Sequence, residues 1–447
     1  MKSTVVHSYL CLLSLLLLRN GDAFSVARTQ SNTAKTGNAM MGLQHPRQRS
    51  RRLLMEQNVL SSEIDAAVLD CDDDDDENTD DPGSNPLGPV RAPLKFIGPY
   101  IGLGLNFPYL STSSQRERNL TGIALDFVLD TAANINTLNA QVGQELELEI
   151  VGEAPGGISA SGTMAGGHTF LLGSCELEGL NRDEDKFIFM ENLTASALPV
   201  ASPAAAGLLA MPFFHCFEGG VEFDWVVGGA TNLKDGLQVP PSVTFYGSAE
   251  ESSDLRRGMT RISIEELPVT RLPKVNLQIN GVTIPALFDT GSPVTVINAQ
   301  AAQEAGISTI GIDGVSSSSD NSKDNNGGFN PFAGIAKKIK DAQATANAAA
   351  RGDILSLAGT AGERVDLIKS SGPVEIQLAS SSEDGNGDDH SRVVSFDRRQ
   401  IYVGNIPGLA ALDALGDDAP PAAVLGLDVL RSKPKMLLVA CDQAVYL

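Results

Sequence analysis

Aromatic residues, cysteine and histidine are scarce in this chain. Aromatic side chains make up 5% of the 447 residues, and cysteine and histidine each occur five times. The cysteines lack the regular spacing of a disulfide framework, and the histidines lack the spacing of a zinc site. The Gly-x-Ser-x-Gly elbow of serine hydrolases and the His-Glu-x-x-His motif of zinc proteases are both missing. We therefore expect neither a metal nor a cofactor.

Basic residues are also few, and they are unevenly distributed. The chain has 33 basic and 55 acidic residues, for a net charge of −22. Eight of the basic residues and only one acidic residue lie in residues 1–55, so the remainder is more acidic than the whole. Such a surface repels a phosphate backbone, and we expect no nucleic-acid partner. The run from Asp70 to Glu77, continued by Asp80 and Asp81, predicts an acidic disordered linker over residues 56–92.

Long apolar runs are absent except near the N-terminus. Residues 9–18 form an apolar run too short to span a membrane comfortably, and Lys2 precedes it, which predicts a signal peptide over residues 1–23. Residues 24–55 contain no acidic residue and mix Arg and Lys with Ser, Thr and Gln, as transit peptides do. The two segments together resemble the bipartite plastid presequences of algae. We expect import into a plastid through the secretory pathway, or else secretion or retention in the endomembrane lumen, with no stable membrane span after processing.

The rest of the chain alternates apolar and polar residues in short runs. Gly, Asn and Pro separate these runs, a pattern that predicts a mostly β fold. At roughly 150 residues per domain, the length predicts two to three units.

One segment of the sequence occurs twice. Without gaps, residues 122–145 and 281–304 share eight identical positions, where chance gives about one or two. The identities include Asp130 with Asp289 and Thr131 with Thr290. Each aspartate follows an apolar run. Duplication explains these identities better than coincidence, and it predicts two copies of one local fold.

Each copy is followed by a glycine-rich segment and then by an apolar triplet. The glycine-rich segments contain Gly162, Thr163 and Gly166 in the first half, and Gly359, Thr360 and Gly362 in the second. The triplets are Leu208-Leu209-Ala210 and Val424-Leu425-Gly426. The order of aspartate, glycines and triplet therefore occurs twice.

This order resembles the aspartic proteases, and the short lobes are more similar to the retroviral, retropepsin-like branch than to pepsin. The family's Asp-Thr-Gly-Ser corresponds to Asp289-Thr290-Gly291-Ser292, and its apolar-apolar-Gly corresponds to Val424-Leu425-Gly426. The resemblance implies a bilobal, mostly β acid-protease fold with a cleft between the lobes. We expect the first lobe over residues 93–250 and the second over residues 260–447.

The resemblance also implies roles for the residues of both copies. Asp130 and Asp289 would be catalytic and would activate one water molecule. Thr131, Thr290, Gly291 and Ser292 would brace the two loops against each other. The glycine-rich segments would form flaps over a polypeptide substrate, and Val424, Leu425 and Gly426 would be structural.

The chemistry of peptide hydrolysis accounts for two carboxyl groups. One carboxylate accepts a proton from water while the other group donates one to the carbonyl. Two carboxyl groups that share one proton supply both roles, because like charges about 3 Å apart cannot both ionise. Ser292 can donate its hydroxyl to the neighbouring carboxylate, whereas Ala133 cannot. This predicts that Asp130 is the more readily protonated member and that activity extends toward neutral pH.

The first copy departs from the family pattern at Ala132 and Ala210, where the family has glycine. Three arrangements follow from this departure. The one we favour is a single-chain, monomeric endopeptidase that uses Asp130 and Asp289. The second is a homodimer that pairs two second lobes, and the third is a weak or inactive protease-like protein that binds peptides by strand addition.

Two further features lie outside this pattern. An insertion at residues 316–351 separates Asp289 from its glycine-rich segment, and its composition predicts a disordered loop followed by a surface helix. We interpret it as a tolerated loop. Asn119-Leu120-Thr121 and Asn192-Leu193-Thr194 fit the glycosylation pattern, which matters only if the chain stays in the secretory route.

Overall fold

The computed structural model describes residues 15–16, 25–28, 88–158, 164–178, 188–198, 204–225, 241–310, 346–358, 364–379, 393–414 and 418–447. Over these residues the fold is mostly β and bilobal, as predicted. The predicted signal peptide, transit peptide and acidic linker lie outside the described residues, apart from residues 15–16, 25–28 and 88–92. Most of the insertion lies outside them as well, and its last described part, residues 346–350, is helical.

The first lobe contributes a ten-stranded sheet. Strand Tyr100–Phe107 is almost entirely buried, and the rings of Phe107 and Phe127 on neighbouring strands lie 6.4 Å apart. The strands of this sheet are Leu15–Leu16, Ser25–Arg28, Lys95–Ile97, Tyr100–Phe107, Ile123–Leu129, Thr137–Leu138, Glu149–Ile158, Met164–Leu177, Ile188–Ala197 and Gly207–Leu209.

The second lobe contributes another ten-stranded sheet. Two of its strands, Pro273–Ile279 and Val282–Phe288, form a hairpin closed by Asn280 and Gly281, which both have positive φ. Asn-Gly between two apolar runs is a strong sequence signal for this type of turn. The remaining strands of the sheet are Glu265–Glu266, Val296–Ile297, Ile354–Ala358, Arg364–Lys369, Ile376–Ala379, Val393–Ser395, Tyr402–Val403 and Ala423–Leu425.

The two copies of the repeat fold alike. Strand Ile123–Leu129 corresponds to Val282–Phe288, and helix Ala140–Glu145 corresponds to Ala299–Glu304. The side chains of Asn139 and Asn298, which are identical in the repeat, cap these helices by accepting backbone N–H bonds from Gln141 and Ala301.

A third sheet of six strands draws on both halves of the chain. Gly220–Asp224, from the first lobe, pairs with Lys435–Val439, close to the C-terminus. An aromatic cluster packs here, with the ring of Phe217 lying 4.6 Å from that of Phe245. The other strands are Val90–Pro93, Ser242–Tyr246, Arg261–Ser263 and Ala444–Tyr446, so the sheet begins just before the predicted start of the first lobe.

The helices whose two ends both lie in the described residues are short. They are Ser113–Arg116, Ala140–Glu145, Met211–Phe214, Ser253–Arg257, Ala299–Glu304 and Leu427–Leu430, with a 3-10 helix at Pro407–Leu412. Among the described residues, no helix combines the length and apolar character needed to cross a membrane.

Candidate active site

Both aspartates are positioned by the same arrangement of paired strands. Asp130 follows strand Ile123–Leu129, and its backbone N–H donates to the carbonyl oxygen of Leu209 at 2.9 Å. The Asp289 N–H donates to the carbonyl oxygen of Leu425 in the same way, at 3.1 Å. In each lobe the first two residues of the apolar triplet lie in a strand parallel to the strand that precedes the aspartate. This pairing explains why the sequence repeats the triplet as well as the aspartate.

Thr131 and Thr290 join the two loops. The Thr131 hydroxyl donates to the carbonyl oxygen of Phe288 at 2.7 Å, and the Thr290 hydroxyl donates to that of Leu129 at 2.9 Å. Each hydroxyl also accepts the backbone N–H of the other threonine, at 3.2 and 3.0 Å. All four bonds are buried, and each bond made by one threonine has a counterpart made by the other. They therefore hold the two aspartate loops against each other.

The carboxyl groups of Asp130 and Asp289 are both 0% exposed. One oxygen of each, Oδ1, accepts a backbone N–H two residues along the chain: Ala132 N–H at 2.9 Å and Gly291 N–H at 2.7 Å. The other oxygen of each, Oδ2, accepts no hydrogen bond from any described protein donor. Each carboxyl group is thus anchored by one oxygen, and its other oxygen is buried without a protein donor.

Burial and mutual repulsion disfavour two negative charges here. Burial raises the pKa of Asp130 to about 7, opposed by the Ala132 N–H. Burial also raises the pKa of Asp289 well above its usual value, and the charge of Asp130 raises it further, opposed by the N–H groups of Gly291 and Ser292. Since both pKa values are raised and each group affects the other, the pair titrates as one unit and favours holding a proton.

Gly291 lies against the opposite carboxyl group. A Cβ atom at this position would stand 2.4 Å from Cγ of Asp130 and 2.6 and 2.7 Å from its two oxygens. That is closer than any real Cβ contact, so a side chain here would push the carboxyl groups apart. The second copy therefore needs the glycine of its Asp-Thr-Gly.

Ala132 occupies the equivalent position in the first copy. It is fully buried and belongs to an apolar cluster of the second lobe that includes Leu272, Leu287 and Val296. The methyl group therefore packs across the boundary between the lobes, and the Ala132 N–H still reaches Asp130. The departure from glycine is accommodated without loss of the hydrogen bonds that shape the loop.

The second departure, at Ala210, is also accommodated. In the second lobe, a Cβ on Gly426 would lie 2.4 Å from the carbonyl oxygen of Val294. Ala210 has nearly the same backbone angles, φ −94° and ψ −177°, as Gly426 has, φ −100° and ψ 178°. It is buried in a small apolar cluster with Ala133. Ala133 and Ala210 stand where the second copy has Ser292 and Gly426, and their methyl groups pack in the same cluster.

The expectation for the Ser292 side chain is wrong. Its hydroxyl donates to the carbonyl oxygen of Val294 at 2.7 Å and not to the carboxylate of Asp289. The turn after Asp289 places this carbonyl two residues along the chain, where short serine-to-backbone bonds form readily. The difference between Ser292 and Ala133 therefore gives no reason to assign the proton to Asp130.

Two polar residues at one repeat position were missed by the sequence analysis. Asn136 Oδ1 accepts the N–H of Ala210 at 2.9 Å, and Thr295 Oγ1 accepts the N–H of Gly426 at 3.0 Å. The Thr295 hydroxyl in turn donates to Asp428 at 2.7 Å. Both copies have a polar residue at this position of the repeat. Because one is asparagine and the other threonine, a count of identical residues does not detect the correspondence.

The strands of two hairpins lie on either side of the predicted flap segments in the sequence. Strands Glu149–Ile158 and Met164–Leu177 form one hairpin, and Ile354–Ala358 and Arg364–Lys369 form the other. Of the six flap residues, only Gly166 is described, within the second strand of the first hairpin. Gly162, Thr163, Gly359, Thr360 and Gly362 lie outside the described residues.

Metal-binding residues are not grouped in the described part of the chain. Within it, no cluster of three or more His, Cys, Asp or Glu side chains could hold a metal ion.

Comparison with known proteins supports the same fold. The model of a family described as aspartyl protease matches residues 275–328, which include Asp289. No curated protein matches the chain significantly in sequence. The matched segment and the paired aspartate loops support an aspartic-protease fold.

Several solved structures are similar at low sequence identity. Basic 7S globulin from soybean is 8% identical with a TM-score of 0.40, over 81% of this chain and 95% of that chain. A structure described as edgp is 11% identical with a TM-score of 0.37, over 80% and 94%. Conglutin gamma, a unique basic 7S globulin from lupine seeds, is 8% identical with a TM-score of 0.39, over 80% and 94%. At TM-scores this low, these similarities carry no argument about function.

Proposed function

We propose that this chain, with its aspartic-protease fold, is an aspartic-type endopeptidase that uses Asp130 and Asp289 of one molecule. The observation that carries the proposal is the pair of buried carboxyl groups, each with an Oδ2 atom that accepts no described protein hydrogen bond. Structural carboxyl groups in a protein core are normally fully hydrogen-bonded. A buried pair left half-satisfied is the arrangement expected of groups that bind and activate water.

The reaction uses one proton shared by the pair. The ionised carboxyl group accepts a proton from water as the oxygen attacks the peptide carbonyl, and the protonated group donates its proton to the carbonyl oxygen. The intermediate then breaks its carbon–nitrogen bond: the protonated carboxyl group donates its proton to the amine nitrogen, and the ionised group takes a proton from a hydroxyl of the intermediate. The pair again holds one proton. The raised pKa values of both groups oppose the loss of this proton.

The single-chain arrangement is favoured over a pairing of two second lobes. Thr131 supplies the hydroxyl that bonds to Phe288, and Ala132 packs into the apolar cluster of the second lobe. A second lobe paired with its own copy could supply the threonine contact through Thr290, but Gly291 could not replace the packing of the Ala132 methyl group. The inactive binding protein is the remaining alternative, and it rests on the two alanine replacements alone.

The test is turnover of an unstructured polypeptide by the full chain and by Asp130→Asn and Asp289→Asn. Each substitution keeps the shape of the side chain and removes its acid chemistry, so we expect a loss of about 100-fold or more in both variants. Asp254→Asn is the matched control, because that aspartate is 90% exposed on a surface helix.

The pattern of losses separates the arrangements. Loss in Asp289→Asn with full activity in Asp130→Asn would indicate a pairing of second lobes. Absence of turnover in the parent chain, together with binding of the same polypeptide, would indicate a binding protein.

A further inference from the structure

One surface turn carries a motif that the proposed function does not use. Asn119-Leu120-Thr121 follows helix Ser113–Arg116, and all three residues are exposed. The turn is ordered by backbone bonds from Asn119 N–H to Arg116 at 3.0 Å and from Leu120 N–H to Gln115 at 2.9 Å. Asn119 has φ +55°, a left-handed conformation that asparagine tolerates. Its side chain makes no hydrogen bond within the described residues.

We infer that Asn119 is an acceptor for an N-linked oligosaccharide. The amide nitrogen of Asn119 forms a bond to the first carbon of an oligosaccharide carried on a lipid pyrophosphate. The bond between that carbon and the pyrophosphate oxygen breaks, the lipid pyrophosphate leaves, and the amide nitrogen loses one proton. Thr121 supplies the hydroxyl that defines the acceptor motif. The step needs entry into the secretory lumen, which the signal peptide predicted at residues 1–23 provides, and it is independent of the proposed protease activity.

The second motif of this kind is placed differently. Asn192 is exposed, but it lies within strand Ile188–Ala197, and the Leu193 that follows it is fully buried. The pairing of this strand with Met164–Leu177 is irregular between Met190 and Leu193. Asn192 lies in the irregular part of a strand that is anchored in the core by Leu193, whereas Asn119 lies in a turn whose three motif residues are all exposed. The geometry therefore favours Asn119.

Apolar side chains beside the turn give the glycan a physical role. Leu120 is 53% exposed, and Tyr109 is 79% exposed. The N–H of Gly122 donates to the carbonyl oxygen of Leu110 at 2.8 Å, which brings the segment containing Tyr109 next to the turn. An oligosaccharide on Asn119 would cover these side chains, and exposed apolar patches of this kind otherwise favour association.

The test expresses the full chain in a eukaryotic cell and treats the product with an enzyme that removes N-linked glycans and converts the acceptor asparagine to aspartate. We expect a downward shift in mobility, with aspartate at position 119 detected by peptide mass spectrometry in heavy-oxygen water. Asn119→Gln and Thr121→Ala should lose the shift assigned to this site. Thr121→Ser should keep it, because serine preserves the motif. The last two variants alter the same exposed position, so a general folding defect would affect both.

The outcomes are decisive in both directions. Aspartate at position 119 that depends on the hydroxyl of residue 121 establishes the site, whether or not Asn192 is also modified. An unmodified Asn119 in the recovered chain overturns the inference, and so does a chain that never reaches the lumen. Glycan occupancy and peptide hydrolysis are measured separately, so failure of one does not imply failure of the other.

Discussion

The hydroxyl groups of Thr131 and Thr290 exchange hydrogen bonds across the boundary between the lobes. Each donates to the carbonyl group just before the other lobe's aspartate and accepts the other threonine's N–H. Neither loop can therefore hold its shape without the other. The positions of Asp130 and Asp289 are a joint property of the two lobes.

Removal of one hydroxyl should weaken this connection strongly. Thr131→Ala leaves the Phe288 carbonyl and the Thr290 N–H buried without partners, and each such group costs about 1–3 kcal/mol. We expect the free energy of unfolding in urea to fall by that order and turnover to fall with it. Thr131→Ser keeps the hydroxyl and should lose much less. Equal losses in the two variants would show that the methyl group, and not the hydrogen bonds, matters.

A methyl group should be tolerated in one aspartate loop and not in the other. Gly291→Ala places a Cβ 2.4 Å from Cγ of Asp130, and overpacking of this kind costs about 1–3 kcal/mol. We expect most turnover to be lost because the carboxyl groups are forced apart. Ala132→Gly removes a buried methyl and adds chain entropy, so it should destabilise the fold by about 1–2 kcal/mol while turnover is retained. Activity assays beside thermal unfolding of both variants check this contrast, which fails if Gly291→Ala remains fully active.

The stability of the protein should fall as pH rises from about 4 to about 7. The folded pKa values of Asp130 and Asp289 are raised, whereas unfolded aspartate has a pKa of about 3.9. Between these values the folded state binds more protons than the unfolded state, so its stability is fully present at low pH and is lost through this window. Unfolding free energies measured at several pH values should show a shallower decline for Asp289→Asn than for the parent. Asp254→Asn should follow the parent, and identical slopes in all three would contradict the assignment.

The pH range of activity should lie above the range in which ordinary carboxyl groups titrate. Burial raises the pKa of both Asp130 and Asp289, and hydrolysis needs one proton on the pair. A profile of kcat/KM against pH reports the ionisations of the free enzyme. Activity confined below about pH 5, where ordinary carboxyl groups titrate, would contradict the prediction.

The buried carboxylate of Glu222 should stabilise the six-stranded sheet, which lies away from the aspartate loops. Glu222 accepts a hydrogen bond from the hydroxyl of Tyr246 at 2.6 Å and another from the ammonium group of Lys435 at 2.6 Å. Tyr246→Phe removes one of these partners, and hydrogen bonds to charged groups contribute about 1.5–3 kcal/mol. We expect an unfolding free energy lower by that order. Tyr446→Phe makes the same change in the same sheet, where no described hydrogen bond uses the hydroxyl, and it should have a small effect.

The repeat was visible in the sequence because it preserves the residues that shape the loops. Asn139 and Asn298 remain identical because both cap helices, and Thr131 and Thr290 because both bond across the lobes. Local patterns therefore predicted the β-rich lobes and placed the two aspartates in equivalent positions.

The six-stranded sheet was not predicted, because it pairs residues that are far apart in the chain. Val221 lies opposite Leu438, and no local pattern specifies such a partner. The direction of the Ser292 hydroxyl was predicted wrongly for a related reason. It depends on where the turn places the Val294 carbonyl, and residue type alone does not determine this.

The six-stranded sheet also constrains when the molecule can assemble. Gly220–Asp224 completes its pairing only when Lys435–Val439 is present, and Ala444–Tyr446 borders that strand in turn. Glu222 and Lys435, which pair across these two strands, are 213 residues apart in the chain. A pairing over so long a loop has a high closure-entropy cost. We therefore expect the edge of Gly220–Asp224 to stay open until the second lobe has been synthesised and has folded beside it.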